Sequence, residues 1–531
     1  MSAARNTHRS TYGVIDIFAG PGGLGEGFSS FLPTADARTF PFELAVSAEM
    51  ERSAHSTLRL RAFYRLLQRT EGDIPQDYWD YLRLVAADDA PPPTLHFGSG
   101  HWKKLWQEAE AEALNLTLGT EAHNRALFER IDAVRDNFNE MILIGGPPCQ
   151  AYSLVGRARQ KNVDGFRSKG DPRHFLYKQY LEILAKYRPA VFIMENVKGI
   201  LTSKVGNQQM FSAIREDLAD PAKALGLPGG GAASRYVLLP IHVPLGTDRT
   251  ADLVADDPGG FVIRCEHHGI PQARHRVIIM GVRLDCATPA VARIPGLKTP
   301  GAPVPIEAAL MGLPALRGGL SREPDDEKRW YDAVDDERKR VISAIRRSMP
   351  DVAHVLETTV PESALPRHAT RYAPGRVGQL ASELRGRSEV VLNHDTRGHM
   401  KSDLGRYLFC AAFAQERHRS PTSGDFPAKL APDHKNWETG AFADRFRVQL
   451  RGEPSSTITS HLSKDGHAFI HWNPAVCRSL SVREAARLQT FPDDYLFLGN
   501  RTQQFVQVGN AVPPALARQI ANVVHEVLSA T

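Results

Sequence analysis

Cysteine is scarce in this chain: five residues in 531, at positions 149, 265, 286, 410 and 477. The count is odd, the spacing wide, and no Cys-x-x-Cys pair occurs. That argues against a disulfide framework and a metal-thiolate cluster, and no metal is expected. It suits a reducing compartment, where a single thiol stays free to react. Long apolar runs are missing as well. No segment approaches the roughly 18 residues that a membrane-crossing helix needs. Residues 1–12 are polar and lack the apolar core of a signal sequence. A soluble, cytoplasmic protein is expected. Charge of one sign is in small excess, +5, which permits a polyanionic partner without demanding one. Neither an internal repeat nor a low-complexity tract appears. What remains is an ordinary globular composition, 42% hydrophobic and 24% charged. The length suits about two to four domains.

The first half alternates apolar runs with amphipathic stretches. Residues 13–18, 42–47, 141–144, 190–194 and 277–280 read as short buried strands, and 175–186 as one of the helices between them. Such alternation predicts an α/β fold with a parallel sheet covered on both faces. Residues 52–135 exceed one crossover and read as a helical insertion, with helices over 53–68 and 102–114. Residues 285–324 are rich in Pro and Gly, and about 325–455 are polar and Arg-rich without strand-helix alternation. Ser481-Val482-Arg483-Glu484 is a capping box opening a helix, and 514–528 a final amphipathic helix. The expected domains are 1–284, 285–474, and a return to the first over 475–531.

The strand at 13–18 runs into Ala19-Gly20-Pro21-Gly22-Gly23-Leu24-Gly25. Glycines there allow a tight turn and close approach of a ligand to backbone. Glu49 ends the next strand, where an acid would bind ribose hydroxyls. Alone, these features suit a dinucleotide or S-adenosylmethionine equally well.

The strand at 141–144 ends in Gly145-Gly146-Pro147-Pro148-Cys149-Gln150. A lone cysteine is usually a small core residue. This one follows the carboxyl end of a strand, where open sheets bind ligands, on an approach stiffened by two prolines. A thiolate there is a strong nucleophile. The next strand ends in Met194-Glu195-Asn196-Val197, which brings a carboxylate to the same edge. Arg274 and Arg276 stand two apart before the strand at 277, so in extended backbone both point one way. Together these groups suit attack on a polar ring. Carbon 5 of cytosine is a poor nucleophile, but thiolate addition at carbon 6 makes it enamine-like. A carboxyl near ring N3 then stabilises the proton or charge that develops there.

In this order of motifs the chain resembles the DNA (cytosine-5)-methyltransferases, most closely their larger, Dcm-like prokaryotic members. The motifs are Asp16-Ile17-Phe18-Ala19-Gly20-Pro21-Gly22-Gly23, Pro147-Pro148-Cys149-Gln150, Glu195-Asn196-Val197, Gln272-Ala273-Arg274-His275-Arg276, 483–489 and 507–513. The resemblance covers about 1–50, 140–283 and 455–531. It implies a Rossmann-like, S-adenosylmethionine-dependent methyltransferase sheet with a second, smaller target-recognition domain. It implies Cys149 as nucleophile, Glu195 as partner of ring N3, and Arg274 and Arg276 as anchors. Phe18, Ala19, Gly20, Pro21, Gly22, Gly23, Glu49, Met50, Pro148, Leu176, Asn510, Ala511 and Val512 would surround the cofactor. The family's acid for the adenine has two candidate places, Asp73 in Gly72-Asp73-Ile74 and the stretch 116–119.

A target inside a duplex must be flipped out. The segment 151–174 carries Arg157, Arg159, Lys161, Arg167, Lys169 and Arg173 against Asp164 and Asp171, with glycines as hinges, which suits phosphate binding and closure. Ser153, Arg157, Arg159, Arg173 and Gln272 are the expected DNA contacts. Weaker candidates are 393–399, 417–419 and the turn at 460–466. The expected partner is double-stranded DNA, in a prokaryotic restriction-modification or phage-defence system with its cognate endonuclease or other components. The protein is expected to be monomeric and nucleoid-associated. An RNA cytosine methyltransferase on the same core, an inactive DNA-binding relative, and an NAD-linked oxidoreductase are the alternatives. The large second region favours duplex DNA over RNA, and the intact Cys149, Glu195 and Arg274 oppose an inactive relative. Amino-group methylation is disfavoured because no Asp-Pro-Pro-aromatic or Asn-Pro-Pro-aromatic motif occurs.

Overall fold

Strands form where the sequence carries continuous apolar runs. In a computed structural model, β1 (Tyr12–Ile17), β2 (Phe42–Glu49), β3 (Ala113–Asn115), β4 (Met141–Gly145), β5 (Val191–Val197), β6 (Tyr236–Leu239), β7 (Val262–Arg264) and β8 (His275–Arg283) make one sheet. The structure describes residues 11–148, 176–205, 208–229, 231–241, 258–291, 294, 296–299, 301–432, 437 and 445–531. The order is β3-β2-β1-β4-β5-β8-β6, with β7 also on β8. Strands β1 to β5 are mutually parallel. The expectation of an all-parallel sheet fails at β8, which runs antiparallel to β5, β6 and β7. An apolar run buried on both faces encodes burial, not direction.

The helices that matter here are α1 (Gly23–Ser29), α2 (Arg52–Glu71), α3 (Gln76–Ala86), α4 (Lys103–Glu112), α5 (Glu121–Val134), α6 (Leu176–Tyr187), α7 (Lys401–Arg417), α8 (Val482–Leu488), α9 (Arg501–Asn510) and α10 (Pro514–Ser529). Alternate strand residues feed two cores. Val14, Leu44, Ile142, Ile193 and Ile278 pack with Phe28 of α1 and Leu516 and Ile520 of α10. Ile15, Val46, Leu143, Phe192 and Ile279 pack with Tyr177, Tyr180 and Leu184 of α6 on the other face. The expected insertion at 52–135 needs correcting, because it contains a strand of the sheet. β3 pairs with the end of β2, so α2 and α5 are crossovers of the sheet itself. The expected helix over 102–114 stops at Glu112, where β3 begins.

A separate core gathers Trp330, Val341, Leu404, Phe409 and Phe446 around α7. Another joins Ile306, Leu384, Ile458 and Leu462 to Ala485, Phe491, Phe505 and Val508. The segment after the second region therefore shares its core with that region. The capping box at Ser481 and Glu484 forms as expected. Among the described residues no helix is long and apolar enough to cross a membrane.

Candidate active site

At the carboxyl ends of β1, β2, β4 and β5 lies a cavity of about 510 Å³. Its wall brings together Phe18, Ala19, Gly20, Pro21, Glu49, Met50, Pro148, Leu176, Glu195, Arg274, Arg276 and 510–512. Residues up to 496 positions apart in sequence converge there. Parallel strands β1, β2, β4 and β5 end at this edge, antiparallel β8 begins at it, and 510–512 close it from the turn between α9 and α10. Cys149, Ser153, Arg157, Arg159 and Arg173 lie outside the described residues.

The loop after β1 is bent by its backbone. Phe18 has φ 57, a left-handed conformation unusual for an aromatic residue, and Gly20 and Gly22 have φ 59 and 98. Gly20 N–H donates to Glu49 Oε2 at 2.9 Å, and Glu51 N–H to Glu49 Oε1 at 2.7 Å. Two amides thus fix the Glu49 carboxylate at the cavity mouth with lone pairs to spare, although burial pushes its carboxyl up. Gly22 and Gly23, expected to line the cavity, stand behind it. Gly22 caps α1, and a Cβ on Gly23 would meet Val512 O at 2.2 Å. Their role is close packing of the loop on the C-terminal segment.

At the other end, Arg276 Nε lies 2.8 Å from Glu195 Oε1. Gly146 makes room for that carboxylate, since a Cβ there would sit 2.8 Å from Glu195 Oε2. Asn196 Nδ2 donates to Pro147 O at 2.8 Å and ties β5 to the segment leading to position 149. Arg274 is 1% exposed and donates from Nη1 to Ile458 O and Gly509 O. Burial and the charge of Arg276 pull its guanidinium down. Arg274 thus borders the cavity and also fastens the late segments to the sheet edge.

Several expected contacts take other positions. Gln272 is 0% exposed, so it does not meet DNA. Its Nε2 donates to Leu488 O and Gln489 Oε1, and its Oε1 accepts from Ile458 N–H. Asp73 is at the far end of α2, where it pairs with Arg387. A helix of 20 residues spans about 30 Å, so Asp73 is remote from the cavity that Glu51 borders at the near end. The 393–399 block is a junction. Asn393 binds the backbone of Phe497, His394 is buried, and Arg397 holds Leu462 O and Lys464 O. Arg417 and Arg419 pair with Asp351 and Asp425.

Sequence reasoning did not single out Asn115. It ends β3 beside Glu49, and its Nδ2 donates to Glu49 O and Met50 O at 2.9 and 3.1 Å. That fixes the amide so that Oδ1 remains an acceptor. The signal was weak, because a three-residue strand has no periodicity to read.

The cavity spans three strand spacings, about 14 Å between the Glu49 and Glu195 positions. Such a span has room for a nucleoside cofactor and a base in line. Its chemistry fits an S-adenosyl group: a fixed carboxylate for ribose hydroxyls at one end, apolar Leu24 and Leu176 between, and charged groups at the other.

The comparisons with known proteins agree with this geometry. The C-5 cytosine-specific DNA methylase family matches residues 121–220 and 328–526. The type II methyltransferase M.Bpa9945I of Bacillus paralicheniformis is 30% identical over 528 residues, 97% of this chain and 99% of that one. The DNA (cytosine-5-)-methyltransferase M.ApeKI of Aeropyrum pernix is 26% identical, over 73% of this chain and 82% of its own. The same fold occurs in a crystal structure from E. coli, provisionally described as a prophage-encoded DNA modification methyltransferase. It has a TM-score of 0.50 and 17% identity, and covers 98% of this chain and 100% of that one. The chain belongs to the C-5 cytosine-specific DNA methylase family.

Proposed function

We propose that this protein methylates carbon 5 of a flipped cytosine within a specific sequence of double-stranded DNA, with Cys149 as the nucleophile. The observation that carries this reading is the Glu195–Arg276 pair at the edge of the sheet where the Pro147-Pro148 segment leads to position 149. The other four thiols suit reaction poorly. Cys410 and Cys477 are buried, burial pushes Cys265 up to about 12, and Cys286 is raised for the same reason.

Glu49, Met50, the 18–21 loop, Leu24, Leu176 and 510–512 would hold S-adenosylmethionine. Bound there, the cofactor supplies a methyl group made electrophilic by a sulfonium. Its adenine would lie against Met50 and residues 115–119, where Asn115 Oδ1 can accept from the exocyclic amine. The protein residues do the rest. The Cys149 thiolate adds to carbon 6 of cytosine, and the ring electrons move to carbon 5. Glu195, held by Arg276, stabilises the proton or charge at ring N3. After methylation a base takes the carbon 5 proton, the double bond re-forms and the thiolate leaves.

The basic 151–174 segment, with Ser153, Arg157, Arg159 and Arg173, would bind phosphates and close over the flipped base. The domains proposed are catalytic over 1–284 and 475–531, and target-recognition over 285–474. Relatives named as type II methyltransferases support a place in restriction-modification or phage defence, with a cognate endonuclease as companion. A monomer near the nucleoid is the simplest assembly. The test is incubation with methyl-labelled S-adenosylmethionine and mixed-sequence DNA, followed by mapping of the modified bases. 5-Methylcytosine in one sequence context supports the reading. Label in tRNA but not in DNA would replace it with RNA methylation.

A further inference from the structure

The Pro21–Gly22 peptide forms the turn of the loop that borders the cofactor cavity. Proline has no N–H, so the Pro21 residue can be anchored only through its carbonyl. That carbonyl accepts a 2.5 Å hydrogen bond from the hydroxyl of Tyr495, a residue 474 positions away. Tyr495 is 1% exposed. Its ring packs edge-on against Phe491 and lies near Phe497, and the Arg61 guanidinium sits 4.8 Å from its centroid. Burial pushes the phenol far up, so it stays a donor. Gly22 completes the fit, because a Cβ there would lie 3.0 Å from the Tyr495 oxygen and 2.8 Å from Leu58 Cδ1.

The helix after the loop is held from the same side. Arg61 of α2 binds Glu26 of α1 through two nitrogens and also pairs with Asp494, the neighbour of Tyr495. Tyr64 donates to the other oxygen of Asp494 at 3.0 Å. The turn at 494–495 therefore grips the loop and its helix together.

We propose that Tyr495 is a positioning residue for the cofactor, holding the Pro21–Gly22 turn in its binding shape through the Pro21 carbonyl. The proposal rests on the reading of the cavity as the S-adenosylmethionine site. A loop that must be ordered on binding lowers affinity by the cost of ordering it. Loss of the hydroxyl should therefore weaken the cofactor and spare the chemistry.

The test is calorimetric binding of S-adenosylhomocysteine to the full-length protein and its Tyr495→Phe variant. We expect Kd to rise about tenfold, equivalent to about 1.4 kcal/mol. DNA affinity and kcat at saturating S-adenosylmethionine should stay within about twofold. Tyr64→Phe is the control, since it removes one hydrogen bond from the same buried network without touching the loop. It should leave Kd within about twofold even if the melting temperature falls. Gly22→Ala, which crowds the hydroxyl, should weaken binding like Tyr495→Phe. An unchanged Kd in Tyr495→Phe would overturn the proposal, as would an equal loss in Tyr64→Phe. If the unaltered protein fails to bind S-adenosylhomocysteine, the reading of the cavity falls with it.

Discussion

Arg276 and Glu195 meet across antiparallel strands, Nε to Oε1 at 2.8 Å, with side chains 13% and 14% exposed. The register sets Arg276 opposite Val197 and Glu195 opposite Ile278, so the two are diagonal neighbours on one face. On the proposed function, the pairing fixes the carboxyl group that would meet ring N3 of the base. Arg276→Ala should lower kcat/KM by about a hundredfold or more, mainly through kcat. Steady-state kinetics on a mapped DNA site checks this, with circular dichroism to show the fold intact. Arg276→Lys keeps the charge but loses the fixed planar geometry, and should recover only part of the activity.

Two places compete for the cofactor's adenine end: Asp73, one of the two that the sequence left open, and Asn115, which directly precedes the other, 116–119. Asn115→Ala should raise the Kd for S-adenosylhomocysteine several-fold, because Oδ1 is fixed as an acceptor beside Met50. Asp73→Ala should leave it unchanged, since Asp73 pairs with Arg387 at the far end of α2. Titration calorimetry of both variants gives the comparison.

Gln272 sits in the protein interior, bound to Leu488, Gln489 and Ile458. Gln272→Ala should cost about 1–3 kcal/mol of stability by leaving buried groups unpaired, yet keep the salt dependence of DNA binding. Arg157→Ala with Arg159→Ala should do the reverse, lowering the slope of log Kd against log salt by up to about two with little change in stability. Denaturant melts and salt-titrated DNA binding distinguish the two cases.

Buried histidines set an acid limit. His394 Nε2–H donates to Pro314 O at 2.9 Å, which fixes the neutral tautomer, so its Nδ1 accepts from the Ser481 hydroxyl at 2.8 Å. Burial pulls it down to about 4, and His471 to about 3. Both folded values lie below the unfolded value of about 6.5, so acid protonates the unfolded chain first. The stability these groups contribute is present above about pH 6.5 and is lost as pH falls towards 4. The melting temperature should drop by at least about 5 °C between pH 7 and pH 5. His394→Gln should flatten part of that slope.

Much of the sheet was legible because Ile15, Val46, Leu143 and Phe192 stand in continuous apolar runs. β3 was not, since Ala113–Asn115 is three residues long and follows a charged helix. The direction of β8 was hidden because Val277–Met280 is buried on both faces in either orientation. At the site, strand ends in the sequence brought Glu49 and Glu195 to one edge, and the family resemblance added Phe18. Arg274 and Arg276, around the start of β8, reach that edge only because β8 runs antiparallel. The sequence did not show which polar residues were already occupied. Gln272 and Arg397 carry groups suited to DNA, but partners 65 to 217 positions away bind them. Tyr495 gave no local sign of its reach to Pro21. Such roles are set by tertiary neighbours, which no short window of sequence contains.

The most direct measurement of the central claim is a covalent trap. Duplex DNA carrying 5-fluorocytosine in the methylated site is incubated with the protein and S-adenosylmethionine, then resolved under denaturing conditions. Fluorine blocks the loss of the carbon 5 proton, so the enzyme should remain bound through Cys149, and Cys149→Ala should give no adduct and no methylated product. Methyl transfer that survives Cys149→Ala, or an adduct mapped to another residue, would contradict the account.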